Sequence, residues 1–595
     1  MTATETAPGT LRRAAAAFGF RHDHRPLLAV ALVAALVAAP VAALFAIAAG
    51  AEDNIWPHVV GVVLPNALLD TAGLLVGVGL LVILAGVPTA WLVATCRFPG
   101  QTVFDWALLL PLAMPTYIVA YCYVDLLDSF GPVQGALRHV FGFTSRRDYW
   151  FPEIRSLYGA VFVMGMVLYP YVYLCARAVF LMQSAAVFDV ARTLGASRSA
   201  VFLRVAVPLA RPAVAVGVAL ALMETLNDIG ASEYLGVRSL SVAVYATWVN
   251  RGSLAGAAQI ACVMLVVVLA VVLLERFGRR HQRYVGSAHR WGEANPVQLT
   301  GLRACGAVLA CLLPLALGFL IPAGFLLREA VALIASNGIG AEFLVLIHHS
   351  VTLAGSAAAI ACVLGFLLAH AEQHARGPAF SAIVRLTGLG YALPGTVLAI
   401  GAMVALVALD NTIDAAMRTV FGIPTGLLIM GSGGAVIYAY VVRFLAVAVG
   451  TMETGFHKIS PHLEMAARTL GQSRIGALVA VELPLMRPAV ATAALLVFVD
   501  AMKELPATLL LRPFDFETLS TSVYGYAARG SFEQGAVAAL AIVVAGFLPV
   551  LWLARTSRIP LPEQLGAPDT AIKAQSPAMN PTQSAAKLRH LGGLV

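Results

Sequence analysis

The sequence predicts an all-α polytopic membrane protein built as two tandem six-helix halves. Three observations carry this. Of 595 residues, 60% are hydrophobic and only 12% are charged, about half the charge of an ordinary soluble domain. Apolar stretches long enough to span a bilayer recur twelve times. The text of the chain also repeats itself after 276 residues.

The charge deficit, with a mean hydropathy of +0.84, excludes a water-soluble enzyme of this size, and composition also excludes disordered, collagenous and disulfide-framework classes. The seven cysteines (Cys96, Cys122, Cys175, Cys262, Cys305, Cys311, Cys362) contain no CxxC pair. They read as small core hydrophobes, with no metal site implied. The net charge of +8 is better read as topology-setting basic loops than as a nucleic-acid footprint.

A spanning helix needs roughly 20 apolar residues. The twelve stretches lie at 27–49, 67–94, 106–127, 157–182, 206–229, 256–275, 302–327, 347–371, 380–409, 425–450, 484–511 and 535–555. Helices are expected because lipid cannot hydrogen-bond an open backbone. Ala49-Gly50-Ala51 resembles a signal-cleavage site, but the polar leader of 26 residues argues for a retained first span. With the N-terminus inside, most of the 39 basic residues fall on the cytoplasmic side, including Arg192, Arg198, Arg204 and Arg211, the linker arginines Arg276, Arg279, Arg280, Arg283 and Arg290, and Lys458, Arg468, Arg474 and Arg487. An even number of spans then puts both termini in the cytoplasm. The expected layout is a tail (1–26), a first half (27–275), a linker (276–300), a second half (301–555) and a tail (556–595).

The repeat is strongest in a polar loop. ARTLGASRSAVFLRVAVPLARPAVA (191–215) and ARTLGQSRIGALVAVELPLMRPAVA (467–491) share fifteen of 25 positions without a gap. Fainter echoes pair LPLAMPTYIVA (110–120) with LGYALPGTVLA (389–399). Each loop reads as a short helix, a glycine break at Gly195 or Gly471, a second amphipathic helix, and Pro208 or Pro484 in the first turn of the next span. Loops ordinarily vary more than the elements they join. A loop that stayed alike while the spans diverged is expected to be a docking surface used twice.

A second matched feature is charged. Glu224, Asn227 and Asp228 align with Asp500, Lys503 and Glu504 at the same offset. Positions i and i+4 share a helix face, so each half is expected to project an acidic pair. Ionisable groups at membrane depth cost about 2.5–3.5 kcal/mol each on insertion scales. Two readings stay open: an acidic lining or gate for a cation-bearing path, and helix-end pairing in which Lys503 neutralises its neighbours. His370-Ala371-Glu372-Gln373-His374 is not HExxH and is expected to be a solvated helix end; His348-His349 reads as an interfacial pair. No catalytic constellation can be assembled. None of the four lysines follows a glycine, so no P-loop exists, and Gly431-Ser432-Gly433-Gly434 is expected to be a close-packing surface within a span.

The spacing A-A-x3-G-x9-V-x-L-P, from Ala466 and Ala467 through Gly471 to Pro484, and from Val190 and Ala191 through Gly195 to Pro208, resembles the "EAA" signature of binding-protein-dependent ABC importer permeases. Asp189 and Met465 stand where that family usually has Glu, with Glu464 next to the latter. DYWFPEIRSL (148–157), LYPYVYLCARAVFL (168–181), LALMETLNDIGASEYLGV (220–237) and VDAMKELPATLLLRPFDFETL (499–519) are similar to the fused permeases of ferric-iron importers. The resemblance covers roughly 60–555. It implies two type I permease halves, a loop in each that seats on a cytoplasmic ATPase (two copies), and delivery by an external binding protein. It also implies alternating access, no catalytic site and no cofactor. Ferric iron is the implied cargo; thiamine, sulfate, molybdate and phosphonate stay open, as does an ATP-independent secondary transporter.

Overall fold

Residues 25–50, 56–182, 193–279, 297–374 and 378–556 are described by a computed structural model. Helix dominates because an apolar chain must satisfy its backbone internally. The first run contains α1 (Arg25–Ala49), α2 (Trp56–Thr95), α3 (Gln101–Ala107), α4 (Thr116–Leu127), α5 (Pro132–Phe141), α6 (Leu157–Met182), α7 (Ser199–Asn227), α8 (Gly230–Tyr234), α9 (Leu240–Val249) and α10 (Leu254–Arg279). The second contains α11 (Leu302–Asn337), α12 (Ala341–His374), α13 (Pro378–Thr387), α14 (Leu389–Ala392), α15 (Gly395–Phe421), α16 (Gly434–Phe456), α17 (Pro461–Thr469), α18 (Ile475–Met502), α19 (Pro506–Leu511), α20 (Leu519–Ala528) and α21 (Phe532–Thr556). Among the described residues eleven helices are long and apolar enough to cross a membrane, and one further pair, Gln101–Ala113 with Thr116–Phe141, is bent by 90°. A two-residue parallel ladder joins β1 (Cys96–Arg97) to β2 (Val297–Gln298), pinning residues 297–298 beside the end of α2.

Three differences from the sequence reading have clear causes. The third and ninth apolar stretches are not continuous helices. Each breaks before Met114-Pro115 or Leu393-Pro394, where the proline adopts extended backbone (ψ 140 and ψ 142) and the chain restarts as α4 or α15. The tenth span begins only at Gly434. Ahead of it, Asp410 accepts the N–H groups of Ile429 (3.0 Å) and Met430 (2.9 Å), and Asp414 accepts those of Thr425 (2.7 Å) and Gly426 (2.9 Å), holding 422–433 as a loop. Gly431-Ser432-Gly433 therefore lies in a turn leading into α16, not on a packing surface within a span.

The third difference concerns Pro208 and Pro484, which do not open a new helix. Both sit in continuous helices just after a π-helical turn, Phe202–Ala206 and Leu478–Glu482. Pro65 and Pro322 follow the same device, at Val59–Val63 and Ala316–Leu320. A proline ring collides with the carbonyl four residues earlier, and widening that turn to π spacing relieves the collision without ending the helix.

Each run has a three-helix core: α2, α6 and α7 in the first, α12, α16 and α18 in the second. Glycines let these backbones approach, as small residues do between membrane helices. A Cβ on Gly77 would meet Val161 at 2.5 Å, and one on Gly455 would meet Ala489 at 2.7 Å. The first helix of each run then crosses to the other. α1 packs on α13 and α15, with Gly401 against the Pro40 carbonyl and the Tyr438 hydroxyl donating to Leu36 O (2.6 Å). α11 packs on α4 and α6, with Gly318 against the Met166 carbonyl and the Tyr123 hydroxyl donating to Leu317 O (2.6 Å).

This exchange yields a prediction. Gly401→Val places a branched side chain on the Pro40 backbone and is expected to cost about 1–3 kcal/mol, read as a lowered thermal midpoint of the detergent-purified chain. Gly450→Val, with nothing within 4 Å, is expected to leave that midpoint nearly unchanged. Equal midpoints for the two variants would contradict the crossed packing.

Candidate functional site: a charged cavity between broken spans

α7 and α18 both end inside the protein. Their last residues are followed by a break and a short helix, α8 or α19, instead of a run out of the membrane. The four or so free N–H groups at a helix start need partners. Asp228 supplies them for α8, accepting from Ala231 N (2.7 Å) and Ser232 N (3.4 Å). Glu504 does the same for α19, accepting from Ala507 N (3.0 Å) and Thr508 N (3.1 Å), and also from the Thr508 hydroxyl (2.9 Å). Asp228 and Glu504 are thus one position used twice, each a buried carboxylate at the head of a short helix.

The breaks in the third and ninth spans meet these caps. Thr116, first residue of α4, donates its hydroxyl to Asp228. Gly395, first residue of α15, donates its N–H to Asn227 Oδ1 (2.6 Å). Asn227 Oδ1 also accepts from Arg443 Nη1 (2.9 Å), which reaches Glu504 Oε1 at 3.2 Å. Lys503 pairs with Asp500 (2.9 Å), and Glu224 with the Tyr391 hydroxyl.

Around these groups lies a cavity of about 100 Å³. Glu224, Asn227, Asp228, Asp500, Lys503 and Glu504 all line it, drawn from both runs of the chain. The sequence reading of a continuous helix face is corrected here. Asp228 has left the helix (ψ 118) and reaches the lining from the break. The pairing of Lys503 with Asp500 and the lining of a cavity are both present. The lining also includes Arg443, Tyr117 and Tyr391, which the sequence reading missed. For Arg443 a signal existed: it is the only charged residue in the apolar stretch 425–450. Tyr117 is buried, and its hydroxyl has no hydrogen-bond partner among the described residues.

The repeated loop is the second candidate site. In the second run, Glu464, Met465, Ala466 and Ala467 lie on α17, started by Ser460, whose hydroxyl accepts from His462 N. Gly471 closes the helix in the left-handed region (φ 91), with Gly471 N on Arg468 O and Gln472 N on Ala467 O (both 3.1 Å). Gly195 has the same conformation (φ 86). Ser197 and Ser473 then start the next helix in the same way, accepting from Ala200 N (3.3 Å) and Gly476 N (3.0 Å). Asp189, Val190 and Ala191 lie outside the described residues. Leu463, Met465, Leu470 and Ile475 are exposed, while Ala467 and Ala477 are buried. At the root of this loop His370 corrects its reading as a solvated helix end. It is half-buried, contacts Glu482 Oε2 through Nδ1 (2.9 Å) and stacks on Phe366. His349 likewise stacks on Phe516 (4.0 Å) and contacts Glu517 O.

Fold and site together define a polytopic α-helical protein with a charged cavity between discontinuous spans. Residues 83–283 match the binding-protein-dependent transport system inner membrane component family. Over 82% of its length the chain is 24% identical to the Fe(3+)-transport system permease protein FbpB 2 of Haemophilus influenzae, covering 89% of that protein. A third of the chain is 29% identical to the molybdenum transport system permease protein ModB of Escherichia coli, covering 86% of it, and a third is 29% identical to the sulfate transport system permease protein CysT of Salmonella typhimurium, covering 71%. The chain is a multi-pass membrane permease of the ABC-importer class, a class that works with an ATPase and a binding protein.

The caps give a testable consequence. Asp228→Ala and Glu504→Ala each leave a buried helix start without its acceptor, a loss of roughly 0.5–2 kcal/mol for the cap alone. Both should lower the thermal midpoint of the purified chain, and Asp228→Asn should retain part of it. Midpoints that do not move would contradict the capping role.

Proposed function

We propose that the chain is a fused permease of two six-span halves (27–275 and 301–555 around a 276–300 linker), with both termini in the cytoplasm, that carries ferric iron through the cavity between its broken spans. The observation that carries this reading is the shared lining: four carboxylates, Glu224, Asp228, Asp500 and Glu504, against two fixed cations, Arg443 and Lys503. The excess is acidic, and hard oxygen donors suit a hard trivalent cation. The Fe(3+)-transport relative that aligns with most of the chain supports the same cargo.

The chain has no nucleotide site of its own in this reading, since no lysine follows a glycine in its sequence. Energy comes from two copies of a cytoplasmic ATPase, one at each repeated loop. Asp189, Val190, Ala191, Gly195 and Pro208 form one coupling loop; Glu464, Met465, Ala466, Ala467, Gly471 and Pro484 form the other. The exposed apolar residues of α17 and its following turn give the ATPase a hydrophobic surface, and the glycine turn sets the angle at which that surface meets the span. Closing of the ATPase pair draws the loops together. Because α7 and α18 run without interruption through a π turn from the glycine turn of each loop, a movement of the loop reaches the cavity at the far end of that helix. The external binding protein then delivers cargo to whichever packing opens outward, shifting an equilibrium between two arrangements.

A second reading rests on Arg443 and Lys503, which could take an oxyanion; relatives named for molybdenum and sulfate transport favour it. Competition decides between them: ATP-driven ferric uptake into vesicles holding the whole importer should be unaffected by molybdate or sulfate. Displacement by either anion would favour the second reading.

The coupling role has its own test. Valine is strongly disfavoured at a left-handed backbone position, so Gly195→Val and Gly471→Val should each abolish ATP-driven uptake while membrane insertion stays normal. Unchanged uptake in both would contradict it.

A further inference from the structure

Shifting by 276 residues places Val167 opposite Arg443, and both line the cavity. The same shift places Asn227 opposite Lys503 and Asp228 opposite Glu504. The two sides of the cavity are therefore built on one plan but wired differently. On one side, Arg443 Nη1 bonds Asn227 Oδ1 and Glu504 Oε1, and Asn227 Oδ1 also holds the N–H of Gly395. On the other, Val167 offers no donor, Lys503 turns to Asp500, and Thr116 closes on Asp228 within the same run of the chain.

The bonds of Asn227 cross between the runs. Asn227 ends α7, whereas Gly395 and Arg443 belong to α15 and α16. The fit is tight: a Cβ on Gly395 would lie 2.5 Å from Arg443 Nη1 and 2.8 Å from Glu504 Oε1. Water barely reaches it, with side-chain exposure of 8% at Arg443 and 2% at Glu504.

We propose that Arg443 is a latch, a positioning residue that ties the end of α7 to α15 and α16 and holds the cavity shut in the resting importer. The proposal rests on the reading that the cavity is the cargo pathway. Breaking one partner out of a buried, hydrogen-bonded charge pair leaves the other charge uncompensated. The latch is therefore either fully made or replaced as a unit, by water or by cargo at Glu504 and Asn227, which makes the closed packing one of two discrete arrangements. Because Val167 stands at the related position, release on one side alone opens the seam.

The test uses the full importer, with its ATPase and binding protein, in vesicles. A Val167→Cys reporter is exposed to a membrane-impermeant thiol reagent and scored above the labelling of the parent chain. With Arg443 in place, labelling is expected only after ATP and loaded binding protein are added. With Arg443→Met it is expected in the resting complex, and the requirement for ATP is lost. Asn227→Ala, which removes no charge and leaves Arg443 on Glu504, should do the same and serves if Arg443→Met fails to assemble. Arg443→Lys should restore part of the ATP requirement, which a merely structural role for the side chain would not predict. Labelling that stays ATP-dependent in both Arg443→Met and Asn227→Ala overturns the latch while leaving the pathway standing. A reporter that is never labelled in any background overturns the pathway reading and the latch with it.

Discussion

A helix that stops inside a membrane protein must find partners for the backbone groups it frees, because lipid offers none. α7 and α18 both stop this way, and the carboxylates of Asp228 and Glu504 take up the N–H groups of the short helices that follow. Much of the polar interior follows from that need. A buried carboxylate calls for further donors, which arrive from Thr116 at the start of α4 and from Arg443 on α16. The breaks at Pro115 and Pro394 bring in two of the donors: Thr116 at the head of α4 reaches Asp228, and Gly395 at the head of α15 reaches Asn227. Four discontinuities thus converge on one cavity, and each is stabilised by the others.

The continuity of the remaining helix carries the coupling argument. Pro208 and Pro484 could have ended the helices that rise from the repeated loops. One π turn below each proline keeps the helix whole. Each of these helices therefore runs unbroken from the turn after Gly195 or Gly471 to the charged residues at its far end. Crossed packing of α1 and α11 ties the two runs to each other.

Much of this was legible in the residues. The twelve apolar stretches located the spans because charge is so scarce that each interruption stands out. The 276-residue repeat exposed the loops, and the recurrence of Glu224, Asn227 and Asp228 as Asp500, Lys503 and Glu504 pointed to residues that share a cavity. What was hidden was local geometry. A periodicity argument treats Asp228 as one more helical position, whereas its role depends on the helix having ended. Proline signals were ambiguous in the same way: Pro394 breaks a span and Pro484 does not, and the difference lies in the preceding turn. Arg443 was visible as a lone charge in an apolar stretch, but its partners lie 61 and 216 residues away, beyond the reach of spacing.

The central claim is that cargo passes through the acidic cavity under the control of the repeated loops. Its most direct test is ATP-dependent uptake of radiolabelled ferric iron by vesicles holding the complete importer, comparing the parent chain with the double variant Glu224→Gln, Asp500→Asn. Both changes keep side-chain volume and remove matched charges that do not cap a helix. The account predicts that uptake falls to background while the variant still binds its ATPase and hydrolyses ATP. Uptake equal to that of the parent would contradict it.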